Sequence, residues 1–144
     1  YHGGADWDPD FEMAFNYFKT AAKDGGAVAM GYLGQMYLRG EFVQVDHRTA
    51  YKYFKASAER GSAMGLNGMG LCYWRGIEVV QDYDEAWSFF DKAIAKEHTE
   101  AHYNAAMMLK EWNAVLYADT ISTYLMRAVK AGHLISHYEL ARTY

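Results

Sequence analysis

Two histidines, His98 and His102, are the side chains of this chain whose spacing best suits metal binding. They are four residues apart beside Glu97 and Glu100, so a helix would place both imidazoles on one face. Two such histidines can share one zinc ion, which normally takes three or four protein ligands. The sequence shows no third ligand, and His98 recurs as His133 one unit later. We therefore expect a solvated helix start, with no metal and no cofactor.

Two neighbouring segments resemble reactive motifs but lack their essential residues. Residues 61–70 read GSAMGLNGMG, whereas a phosphate-binding loop needs a closing Gly-Lys-Ser/Thr and a dinucleotide-binding loop needs a preceding strand. Cys72 has Arg75 as its nearest cationic residue in the sequence, while reactive thiolates need positive charge beside them. We expect the glycines to serve helix packing and Cys72 to be a buried structural thiol.

Acidic residues gather at Asp8, Asp10 and Glu12, just before an apolar helical stripe. Carboxylates at this place favour a helix start through the helix dipole, so we expect capping and not acid–base catalysis. Fourteen basic residues are interspersed with eighteen acidic ones, without a basic stripe, so nucleic acid is not an expected partner. No stretch approaches the roughly 20 apolar residues of a membrane span. An enzyme fragment remains the less favoured alternative.

A period of 36 residues organises the chain. A shift by that length superimposes alanines, aspartates and aromatic residues: Ala14, Ala50 and Ala86; Asp10, Asp46 and Asp82; Tyr17, Tyr53 and Phe89; Phe18, Phe54 and Phe90. A fourth, degenerate unit aligns at a shift of 35, with Tyr124 on Phe89 and Tyr138 on Tyr103. Because Tyr1 and Tyr144 stand at equivalent repeat positions, we expect a fragment of a longer array.

Apolar residues at helical spacing predict two helices in each unit. The glycine-containing helices, called A, are predicted over roughly 28–39, 64–75, 100–112 and 134–144. The aspartate-capped helices, called B, are predicted over roughly 10–24, 46–60, 82–96 and 118–131. The chain is therefore expected to be all-α, with about eight helices and no sheet.

Glycine recurs inside the A helices, at Gly34 and Gly70. Such a residue costs about 1 kcal/mol relative to alanine, so its repetition indicates close contact between helices. We expect three aromatic residues to fill the space between the A and B layers: Phe18, Phe54 and Phe90. The tyrosines at repeat positions are expected in the core: Tyr17, Tyr37, Tyr53 and Tyr73.

The second unit shows the full repeat pattern. It reads Ala29, Leu33, Gly34, Tyr37, Gly40, Val43, Asp46, Ala50, Tyr53, Phe54, Ser57, Ala58 and Gly61. This pattern resembles the Sel-1-like repeat over nearly the whole chain. The resemblance implies an α/α solenoid of helix pairs related to tetratricopeptide repeats. Residues 1–144 would form one solenoid fragment of about four repeats, with 100–144 as its degenerate last unit, acting as a protein-binding scaffold and not as an enzyme.

Two runs, 27–37 and 98–106, resemble one branch of this family, the luminal adaptor of the membrane-bound ubiquitin ligase in endoplasmic-reticulum-associated degradation. The resemblance implies a place in the lumen of the endoplasmic reticulum, with targeting signals outside this segment. It implies the ligase and misfolded-protein recognition factors as partners. The alternative is a regulatory repeat module of another pathway, such as a bacterial secreted effector or an activator of cell-wall synthesis.

Several aromatic residues fall outside the repeat phase, and aromatic residues often dominate protein interfaces. They are Tyr32, Trp74, Trp87, Trp112 and Tyr117, which we predict to be exposed contact residues.

The joint after the third A helix, residues 112–118, lacks both the glycine and the capping aspartate of the earlier joints. The helix either turns at Asn113 or continues and carries 118–144 away from the stack. Either outcome exposes apolar surface that a monomer rarely tolerates. We therefore predict a homodimer through residues 100–144, with these contact residues: Trp112, Leu116, Tyr117, Tyr124 and Leu125.

Overall fold

The computed structural model describes residues 9–143, and this part of the chain is entirely helical. Its helices are α1 (Pro9–Lys23), α2 (Ala27–Arg39), α3 (His47–Glu59), α4 (Ala63–Arg75), α5 (Tyr83–Ile94), α6 (Thr99–Asn113), α7 (Ala118–Lys130) and α8 (Leu134–Thr143). Each helix packs on the next, and α4 also contacts α2 and α6. The A helices α2, α4 and α6 thus form one layer and the B helices lie beside it. The all-α solenoid prediction is confirmed.

Local signals explain how the first joints form. Gly40 and Gly76 end α2 and α4 in the left-handed region, with φ of 75° and 69°, which glycine adopts without steric cost. Asp46 and Asp82 then accept a hydrogen bond from the backbone N–H three residues later, each at 3.1 Å. This satisfies one of the free N–H groups at the start of α3 and α5.

The joint between α6 and α7 is built differently. Helix α6 ends at Asn113, whose side-chain Oδ1 accepts a hydrogen bond from the Leu116 N–H at 3.0 Å. Helix α7 begins at Ala118 after Tyr117, which supplies no side-chain cap. Of the two outcomes considered for this joint, the structure shows the turn at Asn113.

The mid-helix glycines are the places where B-helix phenylalanines enter the A layer. A β-carbon on Gly34 would lie 2.7 Å from Phe54 Cδ1, and one on Gly70 would lie 2.5 Å from Phe90 Cδ1. Phe54 and Phe90 are both buried, whereas Phe18 is half-buried. Because real β-carbons do not approach other atoms so closely, the glycines set the distance between layers.

The repeat tyrosines lie nearer the surface than expected. Tyr37 stacks on Tyr53 with ring centroids 6.0 Å apart, and Tyr73 stacks in the same way on Phe89 at 5.7 Å. All four rings are half-buried. The core position expected for Tyr17 is wrong, because its side chain is largely exposed. By repeat position its stacking partner would be Tyr1, which lies outside the described residues, as do Asp8 and Tyr144.

Candidate protein-binding surfaces

The histidine pair belongs partly to the core. His102 is buried, and its Nδ1 donates to the His98 carbonyl oxygen at 3.1 Å. Burial lowers the pKa of both imidazoles. The solvated position expected for His102 is wrong, because its ring lies edge-on to Tyr124 of α7 with centroids 6.2 Å apart. Among residues 9–143, no three histidine, cysteine, aspartate or glutamate side chains are placed to hold a metal ion.

The glycine-rich segment 61–70 is filled by protein. Gly61 follows α3 with φ of 79°, and the other glycines lie inside α4. A β-carbon on Gly65 would meet Ser57, and one on Gly68 would meet Phe54, both within 2.5 Å. These glycines therefore serve helix packing. At the start of α1, Asp10 and Glu12 lie in the first turn, where carboxylates stabilise a helix.

Cys72 is fully buried, and burial raises the pKa of its thiol to about 12. The reactive thiolate is therefore scarce at neutral pH. We expect Cys72 to react with a thiol reagent such as Ellman's reagent only as fast as the chain unfolds, with full reaction in denaturant. Reaction of the native protein at the rate of a free thiol would contradict this placement.

A serine–histidine–glutamate arrangement, not anticipated from the sequence, links α6 to α8. His133 Nδ1 accepts from both the N–H and the hydroxyl of Ser136, at 3.1 Å and 2.8 Å. Its Nε2 therefore carries the proton and lies 2.9 Å from Glu100 Oε1. Ser136 is fully buried, so no substrate can reach its hydroxyl. The arrangement caps α8 and does not form a nucleophilic site. Its sequence signal is the recurrence of His98 as His133.

Three of the predicted contact residues form one aromatic cluster where α5, α6 and α7 meet. Trp87 lies edge-on to Tyr117 at 5.2 Å and to Trp112 at 6.3 Å, and Tyr83 stacks on Trp112 at 5.1 Å. These rings are half-buried against the core. Leu116 follows in the turn and is 68% exposed. The cluster therefore offers ring edges and one leucine to solvent.

The surface position expected for Trp74, Tyr124 and Leu125 is wrong. All three are buried in the core that α4 to α7 enclose. The Trp74 ring lies edge-on to Phe90 at 6.3 Å, and the Tyr124 hydroxyl is hydrogen-bonded within the chain. These residues hold the repeats together and cannot reach a partner in this conformation. Tyr32 is 38% exposed and stacks on Phe18 at 4.9 Å.

Two further surfaces escaped the sequence analysis. Helix α8 presents an exposed apolar face formed by Leu134, Ile135 and Tyr138. A groove of about 780 Å³ lies between the B helices α3 and α5, over α4. Apolar and aromatic side chains line it together with charged ones: Tyr51, Ala58, Leu66, Met69, Tyr73, Phe89, Lys55, Glu59, Lys92 and Lys96. Repeat periodicity does not predict this groove, because the groove is open or closed according to which side chains stand at equivalent repeat positions.

The repeat geometry agrees with the comparison against family models. The Sel1 repeat model matches residues 1–26, 27–62 and 63–98. The chain belongs to the Sel1 repeat family. The matched segments follow the helix pairs, since 27–62 holds α2 and α3 and 63–98 holds α4 and α5. No curated protein matches the chain.

Solved Sel1-type structures share this fold. One is a protective antigen present in uropathogenic Escherichia coli strains, displaying an SLR fold (TM-score 0.72, 24% identity), and another is a Sel1 repeat protein from Oxalobacter formigenes (TM-score 0.73, 20% identity). Each match covers 90% of this chain, but only 28% and 54% of the respective relative. At this identity the likeness establishes the solenoid alone.

None of the described helices is long and apolar enough to cross a membrane.

Proposed function

We propose that this Sel1 repeat chain is a non-catalytic protein-binding scaffold that self-associates through residues 100–144. The observation that carries the proposal is the apolar surface of the last unit. Val115 and Leu116 are 90% and 68% exposed in the turn after α6, between the half-buried residues Trp112 and Tyr117. Exposed apolar surface of this kind is typical of interaction sites.

The exposed apolar face of α8 is interpreted separately, from the repeat relation. Tyr103, the equivalent of Tyr138 one unit earlier, packs against His133 of the following unit with ring centroids 4.9 Å apart. In an array that continues, a further helix pair would cover the face around Tyr138, so the self-association rests on Val115 and Leu116. A second copy would cover these two side chains through a two-fold contact, which is the commonest symmetry of protein dimers. Trp112, Leu116 and Tyr117 lie in the same last unit and are the predicted contacts that remain accessible.

Sedimentation equilibrium tests the self-association. At micromolar concentration we expect about twice the chain mass of 16.4 kDa. Deleting 118–144 should abolish the dimer, and Val115→Glu with Leu116→Glu should do so without removing buried residues. Val80→Glu is a matched control, because Val80 is 87% exposed in the preceding joint. A monomer throughout, or a dimer that survives both changes, would show that the last unit serves another purpose.

The finer proposal is an adaptor of a ubiquitin ligase in the lumen of the endoplasmic reticulum, supported by the resemblance of residues 27–37 and 98–106. The alternative is a regulatory repeat module of another pathway, such as a bacterial secreted effector or an activator of cell-wall synthesis; both solved relatives are bacterial. Immunoprecipitation of the complete protein from its own cells separates them. Recovery of a membrane-bound ligase, with protease protection in closed microsomes, is expected for the adaptor. Recovery from a bacterial culture medium would exclude it.

A further inference from the structure

The groove between α3 and α5 is open because of the residues at three repeat positions. Between α5 and α7, the equivalent positions form a bridge. There Trp87 Nε1 donates to the Tyr124 hydroxyl at 3.1 Å, and that hydroxyl donates to Asp91 Oδ1 at 2.9 Å. The bridge ties α5 to α7 across the space that would otherwise form a groove.

Between α3 and α5 the same positions cannot form this bridge. The equivalents of Trp87, Asp91 and Tyr124 are Tyr51, Lys55 and Phe89. Phe89 has no polar atom to accept or donate, and the lysine ammonium can only donate. The aromatic rings therefore remain as walls on either side of a cavity of about 780 Å³.

The groove combines an apolar floor with a basic rim. Leu66, Met69 and Tyr73 of α4 contribute to its lining from below. Within the described part of the chain, the lining holds three lysines, Lys55, Lys92 and Lys96, against one glutamate, Glu59. This local excess of positive charge stands out because the whole chain has a net charge of −4.

Two of the three lysines, Lys92 and Lys96, lie at the end of α5. Lys92 lies in the last turn of α5, with its Nζ 5.2 Å from the Phe89 ring centroid, and Lys96 follows that helix. A β-carbon on Gly61 would lie 3.9 Å from Lys96 Nζ, which places this ammonium against the α3–α4 joint. Helix C-termini favour lysines even without a ligand, so the experiment must separate ligand binding from this effect.

We propose that this groove binds an acidic peptide segment of a partner protein, with a bulky apolar side chain seated between Tyr51 and Phe89. The apolar side chain covers the floor, and the flanking carboxylates face the three lysines. Aromatic walls of this kind supply contact area at low entropic cost, and the charges set the preference for an acidic segment. This inference rests on the proposed scaffold function and gives it a binding site separate from the dimer surface.

Fluorescence anisotropy with two synthetic probes tests the charge preference. One labelled peptide repeats Glu-Glu-Leu and the other, of equal length, repeats Lys-Lys-Leu. The chain should bind the acidic probe, and the affinity should fall as salt is raised, because exposed charge pairs are screened. Lys55→Glu with Lys92→Glu should weaken binding about tenfold, because each change replaces a modest attraction between exposed charges by a repulsion. Preference for the basic probe, or no binding, would overturn the proposal.

A matched control keeps the net charge change the same. Lys52 is on α3 like Lys55, and Lys23 lies in the last turn of α1 as Lys92 lies in that of α5, yet neither Lys52 nor Lys23 lines the groove. Lys23→Glu with Lys52→Glu should leave the affinity within about twofold, since long-range interactions between exposed charges are largely screened. Equal weakening by both pairs, or displacement of the probe by a single-stranded oligonucleotide, would mean non-specific attraction of anions and would overturn the site.

Methyl NMR of the ¹³C-methionine-labelled chain locates the probe. Met69 lies in the floor of the groove, whereas Met13 and Met126 are exposed elsewhere. Binding should shift the Met69 methyl signal and leave those of Met13 and Met126 in place; the reverse would refute the location. Sedimentation of the groove variant separates the two proposals. A groove variant that stays a dimer but binds the peptide weakly supports both proposals. A parent chain that is a monomer and yet binds the peptide refutes self-association alone.

Discussion

Phe90→Ala should lower the free energy of unfolding by about 3–5 kcal/mol, which is the usual cost of truncating a buried phenylalanine. Phe90 is fully buried, and it packs against both Gly70 and the Trp74 ring. A domain of this size is stable by only about 5–15 kcal/mol, so the variant should lose a large part of its stability. Urea unfolding followed by circular dichroism measures the change.

Phe18→Ala provides the control for this loss. Phe18 occupies the same repeat position as Phe90, but it is half-buried and stacks on the exposed Tyr32. Its truncation removes less surface from the core and should cost clearly less. If both substitutions cost the same, Phe90 is not enclosed as the structure shows, and repeat position alone determines the energetics.

Gly70→Leu should lower the melting temperature sharply, because the new side chain has no space. A β-carbon at this position already lies 2.5 Å from two atoms of the Phe90 ring. Overpacking of this kind typically costs about 1–3 kcal/mol, and more where the neighbour cannot move. Differential scanning calorimetry measures the effect, and a melting temperature equal to that of the parent chain would contradict the contact.

Gly70→Ala distinguishes close packing from a general disturbance of the helix. At an exposed helical position this change stabilises by about 1 kcal/mol, because alanine is the better helix former. Here it should destabilise, since one methyl group is enough to meet Phe90. Combining it with Phe90→Leu should cost less than the sum of the single changes, because the smaller side chain leaves space for the methyl group.

The helices and most joints followed from the sequence because their causes are local. Asp46 and Asp82 cap the helices that they precede, and Gly40 ends α2, as the repeat pattern predicted. The turn at Asn113 was one of two outcomes considered. At this joint, which lacks the glycine and the aspartate of the earlier joints, the Asn113 side chain accepts a hydrogen bond from the Leu116 N–H.

The depth of individual side chains did not follow from the sequence. Trp74 falls outside the repeat phase and yet is buried, because α4 contacts four other helices and has more than one buried face. His102 is buried because its ring packs against Tyr124 of α7. Tyr17 falls in phase and yet is exposed. A single apolar stripe predicts the buried residues of a helix that packs on one side only. A helix inside a layer, such as α4, is buried on more than one side.

The sequence by itself determined the helix-pair period, the capped joints and the close approach of glycine and phenylalanine, since these depend on residues near in sequence or equal in every unit. Only the tertiary structure decided which inter-repeat space stays open. Trp87, Asp91 and Tyr124 close one groove by hydrogen bonds, and their equivalents leave the α3–α5 groove open. The physical reason is that these contacts join side chains more than thirty residues apart. Their pairing depends on how two helices are placed side by side, which the repeat period alone does not specify.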